Sequence, residues 1–246
     1  MTLPFETLAL AAFIVAGAYV IFGLTGFGST VIAMPLLALI LPLKFAVSTM
    51  MLLDLVATVL VGSQMRKGIR FDEVAWLIPF ILAGMVSGLT LLINVAERPL
   101  LLGLGVFVLV YAAYGLIRRG VPVALARSWS VPFGLAGGAL SALFGTGGVV
   151  FALYFTGRIR DKNELRATNA SMIMFSALVR VVLFAAAGLL VQDGLLTCAA
   201  ILVPAMLGGF YLGNRLHALI PAASVVSVIY SVLVVAGLSL TLKGTP

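Results

Sequence analysis

Two long stretches of this chain carry no charged residue, and each is interrupted by a glycine-rich break. Residues 7–43 run uncharged through Gly23-Leu24-Thr25-Gly26-Phe27-Gly28-Ser29-Thr30, and residues 131–157 run uncharged through Gly145-Thr146-Gly147-Gly148. A helix crossing a hydrocarbon core of about 30 Å needs roughly 20 apolar residues at a rise of about 1.5 Å each. The first limbs of the two stretches, 7–22 and 131–143, reach only about 24 Å and about 20 Å. Each stretch is therefore either one interrupted helix or a hairpin that enters and leaves a membrane on the same side.

The rest of the chain makes the bilayer its only workable solvent. Residues are 63% hydrophobic and 9% charged, with a mean hydropathy of +1.24. A soluble domain carries about 25% charged residues. Six further apolar runs predict spanning helices at 45–64, 74–94, 98–117, 168–190, 195–213 and 219–242. The net charge of +7 lies in short clusters between these runs, with no basic face interleaved with aromatics, which argues against a nucleic-acid partner. Cys198 is the single cysteine and His217 the single histidine, so neither a disulfide nor a metal cluster is expected, and no cofactor motif is present. Met1–Thr7 has no basic segment, so no cleaved signal peptide is expected.

Charge orients the spans. Arg66, Lys67 and Arg70 fall in one loop, Arg118, Arg119 and Arg127 in the next, and Arg158, Arg160, Lys162 and Arg166 in a third. Helices 74–94 and 98–117 make one round trip, so the first two loops share a side. The third joins them only if 131–157 goes in and comes back, which makes it a hairpin. With Arg215 on the same side, only Lys44, Arg98 and Lys243 lie opposite. The excess places the basic loops in the cytoplasm and both termini outside.

The two broken stretches align at an offset of 119 residues, Gly26-Phe27-Gly28-Ser29 on Gly145-Thr146-Gly147-Gly148. With a two-residue insertion, Ala46-Val47-Ser48 then falls on Ala167-Thr168-Asn169. Each half reads as hairpin, helix, helix, helix, giving an N-terminal repeat over 1–120 and a C-terminal repeat over 121–246. Three full crossings per half invert the second half relative to the first. The expected fold is thus an all-α polytopic membrane protein of two inverted repeats. Interrupted segments at matching positions of inverted repeats point to the binding site of a secondary transporter. Close helix packing is the plainer reading of any one glycine motif.

At these motifs the sequence resembles the sulfite exporter TauE/SafE family of membrane transporters. The likeness rests on Gly26-Phe27-Gly28-Ser29-Thr30 followed by Met34-Pro35-Leu36, on Ala46-Val47-Ser48-Thr49, and on their echoes Phe144-Gly145-Thr146-Gly147-Gly148 and Ala167-Thr168-Asn169-Ala170. Pro35 has no echo, since its aligned position is Tyr154. The resemblance implies ion-coupled movement, most simply export, of sulfite, sulfoacetate or a related organosulfonate across an inner membrane.

Such an anion must exchange its hydration shell for hydrogen-bond donors. Half-helix N-termini offer free N–H groups and the positive end of the helix dipole. This makes Gly28, Ser29 and Thr30 in one half, and Thr146, Gly147 and Gly148 in the other, candidate substrate-binding residues. Ser48, Thr49, Asn169 and Ser171 on the following helices could add contacts, although such side chains often bond only their own helix backbone. Two charges fall inside spans, Asp54 and Arg180, where burial costs at least about 2.5–3.5 kcal/mol on insertion scales. They either pair with each other, or Arg180 contacts the anion while Asp54 exchanges a coupling proton. Expected partners are a small anion, the bilayer, a coupling proton and a second copy of the chain. Asn94, Glu97 and Arg98 read as interfacial, and Tyr111 and Tyr114 as aromatic anchors. A passive anion channel would share this architecture. An intramembrane enzyme would need paired catalytic groups that Asp54 and His217 do not supply, and a membrane anchor would need no matched glycine breaks.

Overall fold

The computed structural model describes residues 4–25, 28–62, 68–117, 124–216 and 222–244. Ten α-helices follow one another: α1 (Phe5–Thr25), α2 (Ser29–Ile40), α3 (Leu43–Gly62), α4 (Phe71–Asn94), α5 (Glu97–Ile117), α6 (Ser130–Phe144), α7 (Gly147–Thr156), α8 (Lys162–Ala186), α9 (Leu195–Leu216) and α10 (Ala222–Gly244). No strand occurs among the described residues. Among the described residues, six helices, α1, α3, α4, α5, α8 and α9, are long and apolar enough to cross a membrane. The chain is an all-helical, multi-pass membrane protein. His217, Gly26, Phe27, Arg66, Lys67, Arg118 and Arg119 lie outside the described residues.

The breaks are real but differ in extent from the sequence reading. α1 has 21 residues, about 31 Å, and so is longer than the short limb expected over 7–22. Gly23 does not end it. A Cβ there would come within 2.6 Å of the Phe210 carbonyl oxygen and 2.7 Å of the Asn214 nitrogen, so this glycine admits α9 to close packing. α6, α7 and α2, with 15, 10 and 12 residues, all fall well short of a 30 Å core. α8 begins at Lys162 rather than near 168. The Asp161 carboxylate caps it, accepting from the Asn163 and Glu164 N–H groups at 2.9 Å each, and these polar first turns escape a hydropathy reading.

The helices form two compact units, one of residues 1–50, 94–120 and 191–246, the other of 51–93 and 121–190. In the first, α1 packs on α9, where an added Cβ at Gly209 would overlap the Ala16 carbonyl and one at Gly213 the Val20 carbonyl. α5 packs on α10 through Gly105 and Gly237. Lys243 Nζ donates to the Ala38 and Leu39 carbonyls at 3.1 and 3.0 Å, placing a cation on the negative end of α2. Glu97 accepts from the Leu43 N–H at 2.9 Å at the start of α3.

In the second unit α4 packs on α6. An added Cβ at Gly84 would overlap the Leu135 carbonyl, and one at Gly88 would come 2.5 Å from the Ala139 carbonyl oxygen. The seam closes a core of Leu77, Ile81, Met85, Ala142, Phe151, Tyr154 and Met172. The two seams share a register. Gly84 and Gly88 precede Gly209 and Gly213 by a common 125 positions, as Pro79 precedes Pro204. Their contacts Ala16 and Val20 precede Leu135 and Ala139 by 119, the offset that aligns the two breaks.

Candidate functional site

In the second unit the break is a reversal that lays α7 back along α6. Gly145, at φ 73°, leaves the right-handed helix, a backbone state that L side chains rarely adopt. Its N–H donates to the Ser141 carbonyl at 2.9 Å, and the Thr146 N–H to the Leu140 carbonyl at 3.3 Å, which satisfies the end of α6. A Cβ at Gly147 would overlap the Gly137 carbonyl and come within 2.6 Å of Ser141 Cβ, while one at Gly148 would meet Ile173 of α8 at 3.0 Å. The N-terminal end of α7 is thus pressed between α6 and α8, with Thr146 as its N-cap.

Arg180 reaches this point from α8. It is 3% exposed. Nη1 donates to the Ser141 carbonyl at 3.0 Å, and Nη2 to Asp54 of α3 at 3.1 Å. The Ser141 and Ser176 hydroxyls meet at 2.6 Å. Two buried polar atoms here have no hydrogen-bond partner, Arg180 Nε and Thr146 Oγ1. An unsatisfied buried donor costs about 1–3 kcal/mol, which sets these two atoms apart from the rest of the packed interior.

The expected residues divide accordingly. Thr146, Gly147 and Arg180 come together, with Gly148 one residue along α7. Asn169 is buried and its Oδ1 is unpartnered. It lies one turn before Ile173 on the same face of α8 and three turns, about 16 Å along the axis, from Arg180. Ser171 donates to the Thr168 carbonyl at 2.8 Å, the local backbone bond that serine often makes in a helix. Asp54 and Arg180 form the ion pair that was one of the two readings. In the first unit, Gly28 caps α2 with φ 91°, and Ser29, Thr30, Ser48 and Thr49 are buried. There Ser48 Oγ accepts from Gln192 Nε2 at 3.1 Å.

Sequence reasoning missed Ser141 and Ser176, because lone polar residues in apolar helices look alike until their partners are known, and Gln192, which lies in the connection between α8 and α9. It also missed a second buried charge. Glu73, 3% exposed, accepts from Arg158 Nη2 at 2.6 Å, from Arg158 Nε at 3.2 Å and from the Tyr154 hydroxyl at 3.1 Å. Arg127 lies 3.6 Å away. The hydrogen bond that Arg158 donates to Glu73 raises its guanidinium pKa further above the ordinary value. This clamp holds the far end of α7 against the first turn of α4. Tyr154 is the residue that stands where the other half has Pro35.

Broken apolar helices around a buried arginine, with six described helices long and apolar enough to cross a membrane, fit the class of membrane transport proteins. The particular class follows from comparison: this chain belongs to the sulfite exporter TauE/SafE family, whose profile matches residues 9–240. It is 27% identical over 193 residues to the "Probable inner membrane transporter protein TsaS" of Comamonas testosteroni, covering 77% of this chain and 80% of that protein. No solved structure matches it.

Proposed function

We propose that this protein is a secondary transporter that carries a small sulfur-containing anion, such as sulfite, sulfoacetate or a related organosulfonate, across an inner membrane as an ion-coupled exporter. The observation that carries the reading is Arg180. A buried guanidinium is held at the N-terminal end of α7 by Ser141 and Asp54, with its Nε uncommitted. Nε, the Thr146 hydroxyl and the Gly147 and Gly148 N–H groups offer the donors that replace the hydration shell of an oxyanion. Asp54 serves as counter-ion to Arg180 in the empty site and as the group that exchanges a coupling proton. In the first unit Gly28, Ser29, Thr30, Ser48 and Thr49 form the repeat-related cluster, and Asn169 and Ser171 flank the approach along α8.

The family match and the similarity to an inner membrane transporter support the substrate class and the membrane. The recurring seam registers support the repeats; an inverted arrangement of them, with the basic loops in the cytoplasm and both termini outside by the charge bias, and a homodimer complete the proposed assembly. Reconstitution into proteoliposomes tests the whole. Sulfite or sulfonate flux should saturate, respond to an imposed proton gradient and fall by at least about 100-fold in Arg180→Gln, the scale of a charge-assisted contact worth about 3 kcal/mol. Wild-type flux in Arg180→Gln would remove Arg180 from the site, and unsaturated downhill flux would identify a channel.

A further inference from the structure

The charges around the α7 end set a limit on the charge of the ligand. Among the described residues Arg180 is the one cation there, and Asp54 lies 3.1 Å from it, so the pair is neutral taken together. The dipole of α7 adds the equivalent of about half a positive charge. Thr146 Oγ1 and Arg180 Nε supply hydrogen bonds but no further charge. The other charged cluster near this helix, Glu73 and Asp72 with Arg158 and Arg127, sits at the opposite end of α7, about 15 Å away, and its two carboxylates balance its two guanidiniums. A singly charged oxyanion therefore takes the local total from about +0.5 to about −0.5, whereas a doubly charged one leaves about −1.5 beside the Asp54 carboxylate. Desolvation grows with the square of the charge, so a dianion gives up about four times the hydration energy for the same donors.

Resting on the reading of this cluster as the anion site, we infer that the protein selects singly charged sulfur oxyanions over doubly charged ones, and that Asp54 is the residue that sets this selectivity. This narrows the proposed class: organosulfonates with one charge and hydrogensulfite are favoured over the sulfite dianion and sulfate, and sulfoacetate, with its second charge, ranks below the singly charged members.

Methanesulfonate and sulfate separate charge from shape, since both are tetrahedral, similar in size and fixed in charge near neutral pH. Binding of each to the purified full-length protein in lipid nanodiscs, at matched ionic strength, should favour methanesulfonate by at least about tenfold. Asp54→Asn removes the competing negative charge and should narrow that ratio by about tenfold, through tighter sulfate binding. Asp54→Glu, which keeps the charge, should restore the wild-type ratio. Equal or tighter sulfate binding by the wild-type protein overturns the inference whatever the variants do, as does an unchanged ratio in an Asp54→Asn protein that still binds methanesulfonate. If neither these anions nor sulfite bind, the anion site itself falls, and the selectivity with it. If sulfur oxyanions bind regardless of charge, only the selectivity falls.

Discussion

Replacing Gly209 with alanine adds one methyl group to α9 at the point where α1 crosses it. The added carbon would overlap the Ala16 carbonyl oxygen and lie 3.0 and 3.1 Å from the Ala16 C and Cα atoms. These are backbone atoms and cannot rotate away, so the helices must separate by about 1 Å. A gap of that size forfeits a quarter to a half of each dispersion contact along the seam, which puts the cost near the upper end of the 1–3 kcal/mol typical of overpacking. Alanine returns about 1 kcal/mol of helix propensity, leaving a net loss of about 2 kcal/mol. In a chain of this size that lowers the unfolding midpoint by about 4–8 °C. Gly208 is the internal control. It is the preceding residue in the same helix, and an added Cβ meets nothing within 4 Å, so Gly208→Ala should hold or raise the midpoint. Gly84→Ala, whose added carbon overlaps the Leu135 carbonyl, should cost about as much as Gly209→Ala. Thermal unfolding of the purified proteins in one detergent measures all three. Equal losses at Gly208 and Gly209, or no loss at Gly84, would refute the close-packing argument.

Glu73→Gln leaves Arg158 and Tyr154 facing a neutral amide; with Arg158 a quarter exposed the loss should be about 2–4 kcal/mol, read as a drop in the unfolding midpoint. A double-mutant cycle with Arg158→Gln should then show coupling rather than additivity. Asp161→Ala removes the cap of α8 and should cost about 1 kcal/mol, with faster hydrogen exchange confined to its first turn. Lys243→Met strips the C-terminal carbonyls of α2 of their cation and should raise hydrogen exchange at that end of α2 while leaving α7 unchanged.

The spans were legible because lipid exposure demands long apolar runs, and no tertiary contact overrides that demand. The glycines were harder to read, since a missing Cβ serves a turn and a close crossing equally well. Gly145 makes a turn and Gly23 a crossing, and only the neighbour decides which. The match of Gly84 and Gly88 to Gly209 and Gly213 was present in the sequence but sits at an offset of 125, while the breaks align at 119. Small insertions between helices move the register, so a search at one offset passes over it. The Asp54–Arg180 pair could be listed among alternatives from depth alone, but the part played by Ser141 could not. Its carbonyl holds Arg180 only because the reversal at Gly145 brings the end of α6 to face α8.

Matched packing positions and chemistry are distributed differently along this chain. The packing glycines, the prolines that precede them and the short helices recur in both halves at near-constant offsets. The charges do not. At the offset of 121 that aligns α3 with α8, Asp54 falls on Phe175 and Arg180 on Val59, so neither member of the buried pair has a charged counterpart. The clamp on α7 made by Glu73 and Arg158 likewise contrasts with Lys243 at α2, which caps carbonyls without forming an ion pair there. Had each half kept its own arginine, two anions could be held by equivalent contacts. Among the described residues Arg180 is the one buried arginine, so the strong counter-charge seen there has no described match. Damage to the scaffold should therefore be felt about equally at matched positions of the two halves, whereas loss of anion binding should follow from changes around Arg180 and not from changes at Val59.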